Sequence, residues 1–145
     1  MKRLVLAFSA IALVSGAAFA DPIADRKALM KERGGLVGQL APIAKGEKPF
    51  DAAAVLAALQ GLAANGDKFN VEALFPAGSD KGDTKASPKI WEDMAGFKAA
   101  EAKFEADVDA AIAAAPQDLD TFKAQFGAIA SNCGACHQTY RLPQS

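Results

Sequence analysis

Apolar residues return at helical intervals through most of this 145-residue chain, and four long amphipathic segments can be traced. From about 22 to 45, Ile23, Met30, Val37 and Ala44 recur every seven positions, with Leu40 and the arginines Arg26 and Arg33 on neighbouring tracks. Asp51 stands where a side-chain oxygen caps a second helix, along which Val55, Leu59 and Leu62 form one stripe. The segment FPAGSDKGDTKASP, residues 75 to 88, is rich in Gly, Ser, Asp and Pro and reads as a loop. Pro88 then opens a third helix, where the N–H it lacks costs little, and Trp91, Met94, Phe97, Phe104, Val108 and Ile112 follow at helical spacing. The fourth segment, from about Asp118 to Tyr140, is the most regular. Leu119, Phe122, Phe126, Ile129, Cys133, Cys136 and Tyr140 step by three and four, which puts both cysteines on the apolar stripe.

Alanine is abundant and β-branched residues are few, so local preference agrees with the periodicity. Four amphipathic helices with no strand signal predict an all-α fold, an antiparallel four-helix bundle, and bundles build their cofactor sites in the interior. There is no internal repeat, and residues 21–145 have the length of one domain with its own core.

The first twenty residues have a different character. Lys2 and Arg3 precede an apolar run from Leu4 to about Gly16, and Ala18-Phe19-Ala20 supplies small residues ahead of Asp21. This pattern predicts a signal peptide at 1–20, cut after Ala20, because the run is shorter than the roughly 20 residues that span a bilayer. No later stretch is long and apolar enough to span. The expected destination is the periplasm. Loss of Lys2 and Arg3 takes the 16 Lys and Arg to 14 against 17 Asp and Glu, a net charge near −3. Mild acidity without a basic run argues against nucleic acid or an anionic membrane as partner.

Both cysteines and the single histidine fall in CGACH, 133–137. A redox dithiol would be expected in a βαβ setting, and no strands are predicted. A zinc site would have three ligands at best, with no second Cys or His cluster to complete a tetrahedron. A disulfide between positions three apart would close a loop too small to constrain the unfolded chain much. Covalent attachment of a c-type haem uses all three residues: both thiols bond to the porphyrin vinyl groups and the adjacent imidazole ligates iron. Two thiols three apart share a helix face, and the next residue turns toward the ring centre. One haem c per chain is therefore expected, with Cys133 and Cys136 as attachment points and His137 as proximal ligand.

With the haem motif near the C-terminal end, the chain resembles the class II c-type cytochromes, the group that includes cytochrome c′. PIAKGEKPFDAA at 42 to 53 looks like the stretch joining that family's first two helices, SPKIWED at 87 to 93 like the opening of its third, and CGACHQTYR ends the match with Tyr140 and Arg141. The resemblance covers nearly all of residues 21–145. It implies a left-handed four-helix bundle with one haem between the helices. It also implies a choice at the iron face opposite the histidine. In cytochrome c′ an apolar side chain of the first helix usually blocks that face, leaving a five-coordinate iron open to small gases. In low-spin relatives of the c-554 and c-556 type, a first-helix methionine binds iron. Aligning PIAKGEKPFD puts Met30 at that position, and RKALMKERG looks more like the low-spin branch.

Met30 is therefore the expected distal ligand, while Met94 shares a face with Trp91 and Phe97 and is assigned to the core. Arg26, one turn before Met30, and Arg141, beside the attachment site, are candidate partners for haem propionates. Lys27, Lys31, Lys45 and Lys48 read as solvated faces that can steer a redox partner. Glu101 with Glu105 and Asp107 with Asp109 have helix-surface spacings. With no spare histidine to act as a base, no paired nucleophile and no phosphate loop, the chain does not read as an enzyme. The expected function is single-electron transfer with other redox proteins through a His/Met-ligated haem. A five-coordinate binder of NO or CO is the alternative, a haem with a chiefly structural role is a weaker third, and a homodimer is a further expectation.

Overall fold

The computed structural model describes residues 21–143, so the expected signal peptide at 1–20 lies outside the described residues. These residues form six helices: α1 (Pro22–Ala44), α2 (Ala52–Asp67), α3 (Val71–Leu74), α4 (Lys89–Glu92), α5 (Met94–Ala114) and α6 (Leu119–Tyr140). Packing of α1 on α2, α2 on α5, α5 on α6 and α6 on α1 closes a ring of four long helices, which is the predicted bundle. Among the described residues no helix is long and apolar enough to cross a membrane.

The helix starts follow the capping residues. Asp21, Asp51, Asn70 and Asp118 each accept a backbone N–H of the first turn, from Ile23 and Ala24, Ala54, Ala73 and Thr121 respectively. Two features depart from the sequence reading. A single turn, α3, precedes the long loop, and the predicted third helix is broken at Asp93 (φ −136°, ψ 57°). Asp93 breaks it because its carboxylate serves as a cap: it accepts the Gly96 N–H at 3.1 Å and the Tyr140 hydroxyl at 3.0 Å. A Cβ on Gly96 would run into both partners of that clasp, so the position has room only for glycine.

Two apolar clusters form the interior. The larger joins Leu40, Ile43, Val55, Leu59, Leu62, Phe104, Val108, Phe122, Phe126 and Ile129 from all four long helices. The smaller joins Phe69, Val71, Leu74, Phe75, Ile90, Phe97 and Tyr140, with Met30, Met94, Trp91 and Cys136 packed against it. Its rings meet at steep angles, Phe75 on Phe97 at 4.8 Å and Phe97 on Tyr140 at 5.2 Å between centroids.

The buried stripe of α1 differs from the one the heptad spacing favours. Ile23, Met30, Val37 and Ala44 are only partly covered, and the buried positions are Arg26, Arg33, Leu40 and Ile43. Two arginines can lie inside because both terminal nitrogens of each meet acceptors there, carbonyl and hydroxyl oxygens for Arg26 and a carboxylate for Arg33. Arg33 Nη1 and Nη2 donate to Glu101 at 2.9 and 2.6 Å, Nε donates to Asn65 Oδ1 at 2.8 Å, and the guanidinium lies over the rings of Phe69 and Phe104 at 4.9 and 4.2 Å. Phe69 belongs to the smaller cluster and Phe104 to the larger, so the guanidinium is a polar joint between them. Asn65 passes the network on, donating to the Leu29 carbonyl and to Glu32. Glu101, read from sequence as a surface residue, is buried by this arrangement.

Candidate functional site

The first half of α1, the start of α5 and the last two turns of α6 enclose a cleft of about 540 Å³, within the range that small-molecule and cofactor sites occupy. Cys133, Cys136 and His137 line it from α6, Met30 and Arg33 from α1, and Phe97, Glu101 and Phe104 from α5. The remaining wall comes from Phe69, Phe75, Ile90 and the loop residues 83–86. The cleft thus brings together each residue that the sequence singled out for haem, including Met30, 103 positions before Cys133. Met94 does not line it and packs instead beside Trp91 in the smaller cluster, as expected of a core methionine.

The α6 geometry follows from its register. Phe122, Phe126 and Ile129 seat the helix in the core, so the next residues of that stripe, Cys133 and Cys136, arrive half-buried at the cleft. The two thiols are not bonded to each other, and burial pushes both above the usual thiol range. His137 stands at the exposed margin. Partial desolvation, then the cations Arg141 and Arg33, hold its imidazole below the usual value.

Arg26 has a further structural role. Its Nη1 donates to the Leu74 carbonyl at 3.1 Å and to Ser79 Oγ at 3.0 Å, and its Nη2 to the Ser79 carbonyl and Thr84 Oγ1, both at 2.7 Å. It also lies over Phe75 at 4.8 Å. Both terminal nitrogens thereby fasten the 74–84 segment to α1 and fix one wall of the cleft. Nearby, Lys27 pairs with Asp83 at 2.6 Å, and Lys31 faces the cleft from the next turn. Lys45 and Lys48 are exposed away from it. Arg141 sits at the opposite edge, where the chain leaving α6 pairs with the loop through an isolated bridge to Ala86, with the Leu142 N–H donating to the Lys85 carbonyl at 2.8 Å.

The sequence reading missed Glu101 and Asn132 as cleft residues. For Glu101 the α1 pattern was no sufficient signal: Arg26, Arg33 and Leu40 share a seven-residue step, yet Arg26 is buried on it against carbonyl and hydroxyl oxygens and only Arg33 meets an acid. Asn132 gave no signal. Its amide donates to Asp107 at 2.6 Å and to the Ala128 carbonyl at 3.2 Å, which satisfies it at the foot of the cysteine motif.

Two thiols one turn apart, an imidazole beside them, a thioether on the facing helix and a ring-lined cleft form a donor set that suits a haem. A family model described as Cytochrome C' matches residues 21–141. The chain belongs to the cytochrome c′ family. It is 42% identical over 143 residues to cytochrome c-556 of Agrobacterium fabrum, covering 98% of this chain and 96% of the relative. To cytochrome c′ of Rhodopseudomonas palustris it is 40% identical over 148 residues, covering 99% of each. The solved structure of a Rhodopseudomonas palustris cytochrome c′ superposes with a TM-score of 0.79 at 41% identity, over 86% of this chain and 98% of that one. Membership makes the protein a mono-haem cytochrome with one covalently attached haem c. Relatives named c-556 and c′ stand at nearly equal identity, so kinship does not choose between electron carrier and gas binder.

Proposed function

We propose that the protein is a periplasmic single-electron carrier, exported by cleavage after Ala20, in which His137 and Met30 ligate the iron of a haem bonded to Cys133 and Cys136. The observation that carries this reading is the position of Met30. Among the described residues it is the only methionine on the cleft wall, on the helix facing the cysteine motif, and half-buried among the aromatic residues of the smaller cluster. When bound, the haem supplies a one-electron ferric/ferrous couple. An imidazole and a thioether keep iron low-spin in both states and favour the ferrous form over a bis-imidazole site.

The chain's own residues do the rest. The rings of Phe69, Phe75, Phe97 and Phe104 keep water from the cleft, and the clasp of Asp93 on Tyr140 fixes the end of α6. Arg141 is the better placed of the two candidate propionate partners, since the terminal nitrogens of Arg26 are already engaged. Lys31 and Arg141, exposed around the opening, give an acidic redox protein an electrostatic approach.

Absorption spectroscopy of the purified holoprotein tests the ligation. The oxidised wild type is expected to show a sulfur-to-iron charge-transfer band that is lost in Met30→Leu. High-spin oxidised iron with ready CO binding by the reduced wild type would replace this reading with the gas-binding one.

A further inference from the structure

The buried face of α2 carries one residue that its apolar stripe does not explain. Val55, Leu59 and Leu62 lead along that face to Asn65, which is 0% exposed, at a depth where leucine would fill space with no polar group to satisfy. The whole amide is directed at α1. Its Oδ1 accepts the Arg33 Nε–H at 2.8 Å, and its Nδ2 donates to the Leu29 carbonyl at 3.1 Å and to Glu32 Oε2 at 3.2 Å. Asn65 itself does not line the cleft.

These three partners bracket Met30. Leu29 precedes it and Glu32 and Arg33 follow, so the turn that carries the thioether is held from α2 on both sides. The hold continues into the rest of the bundle. Arg33 is fixed by Glu101 of α5 at 2.9 and 2.6 Å, and Lys68, at the end of α2, pairs with Glu32 at 3.2 Å. Local helix strength does not supply the same rigidity. Gly34 and Gly35 come directly after Arg33, and a Cβ at either would meet nothing within 4 Å, so packing does not call for glycine there while the helix is weakened relative to alanine.

We propose that Asn65 is a positioning residue for Met30: by fixing the 29–33 turn against α2 it brings the thioether to the cleft already ordered, and so sets how readily a small ligand such as CO displaces it. The inference rests on the Met30 ligation proposed above. Because Asn65 lies outside the cleft, its effect passes through α1. With the turn held, ligation by the thioether orders little else. With the turn released, the same bond must also immobilise the chain that carries it, which weakens the bond and favours the competitor.

CO titration of the reduced holoprotein tests this, with the sulfur-to-iron charge-transfer band of the oxidised form and the far-UV circular dichroism read on the same samples. Asn65→Leu, which fills the site but makes none of the three bonds, is expected to bind CO about tenfold more tightly than wild type, the effect of losing more than one net hydrogen bond. On warming, it is expected to lose the band while the helical signal is intact. Asn65→Asp keeps an acceptor for Arg33 Nε and cannot donate to the Leu29 carbonyl, and its expected gain is about fivefold, the effect of one bond. Leu59→Ala, on the same buried face of α2 but without a polar bond to α1, reports general destabilisation and is expected to keep the wild-type CO affinity. A CO affinity indistinguishable from wild type in either Asn65 variant, with its helical signal intact, overturns the proposal, as does a gain in Leu59→Ala equal to that of Asn65→Leu. In both cases a wild type that shows the band leaves the ligation reading standing. A wild type without the band overturns the ligation and this proposal together.

Discussion

Replacing Glu101 by leucine is expected to cost a large share of the stability, for a reason visible in the geometry of Arg33. The two side chains are 8% and 10% exposed, and they meet through two hydrogen bonds at 2.6 and 2.9 Å. In Glu101→Leu the guanidinium keeps its bond to Asn65 and its two ring contacts but loses its counter-charge and the acceptors for both terminal nitrogens. Breaking a buried pair in this way costs about 3–5 kcal/mol, against a total of about 5–15 kcal/mol for an ordinary domain. Arg33→Met should fall in the same range, because it leaves the Glu101 carboxylate buried and Asn65 Oδ1 without its donor. The double variant Arg33→Met/Glu101→Leu removes both charges and should be more stable than either single one, with a coupling energy of at least about 2 kcal/mol. Urea unfolding of the holoprotein followed by far-UV circular dichroism gives the numbers. With a slope of about 1–3 kcal/mol/M, each single variant should unfold at least about 1 M earlier than wild type. Single variants within about 1 kcal/mol of wild type, or a double variant carrying the sum of both losses, would refute the argument that this pair is a buried joint.

Two further outcomes follow from the packing and the caps. Leu59→Ala, at a fully buried position shared by the helices of the larger cluster, should lower the stability by about 2–5 kcal/mol in the same urea assay. Asp93 is held below the usual aspartate range, first by the Gly96 N–H and then by the Tyr140 hydroxyl. A carboxylate with a depressed value in the folded state adds stability above the unfolded aspartate value, and this is lost as pH falls through the folded value. The melting temperatures of wild type and Asp93→Asn should therefore differ by a constant amount at neutral pH and converge in acid.

The main outline of the fold could be read from sequence because it rests on local signals. Aspartates at helix starts, the apolar steps of α6 and the Gly- and Pro-rich stretch at 75 to 88 each act within a few residues. The same holds for the chemistry: Cys133, Cys136 and His137 lie within five positions, so helix geometry alone brings them together. The features that were missed depend on partners distant in sequence. The break at Asp93 depends on Tyr140, 47 positions away, whose hydroxyl shares the capping carboxylate. Glu101 is buried because Arg33, 68 positions earlier, points at it from across the bundle. Periodicity ranks leucine above arginine for the interior, and for α1 that ranking fails at two positions, Arg33 where a carboxylate matches the charge and Arg26 where carbonyl and hydroxyl oxygens take up the terminal N–H groups.

The segment at 74 to 79, which brings Phe75 to the cleft wall, is gripped largely by its main chain. Arg26 reaches the carbonyls of Leu74 and Ser79, and the Trp91 indole N–H reaches those of Phe75 and Pro76 at 3.1 and 3.2 Å. Every residue type presents a carbonyl, so these four bonds do not depend on the identity of the side chains they hold. Outward-facing side chains on this segment are therefore free to drift over evolutionary time without loosening the hold. A lineage could refit the surface beside the haem to a new electron donor while the bundle and its two arginines remain unchanged.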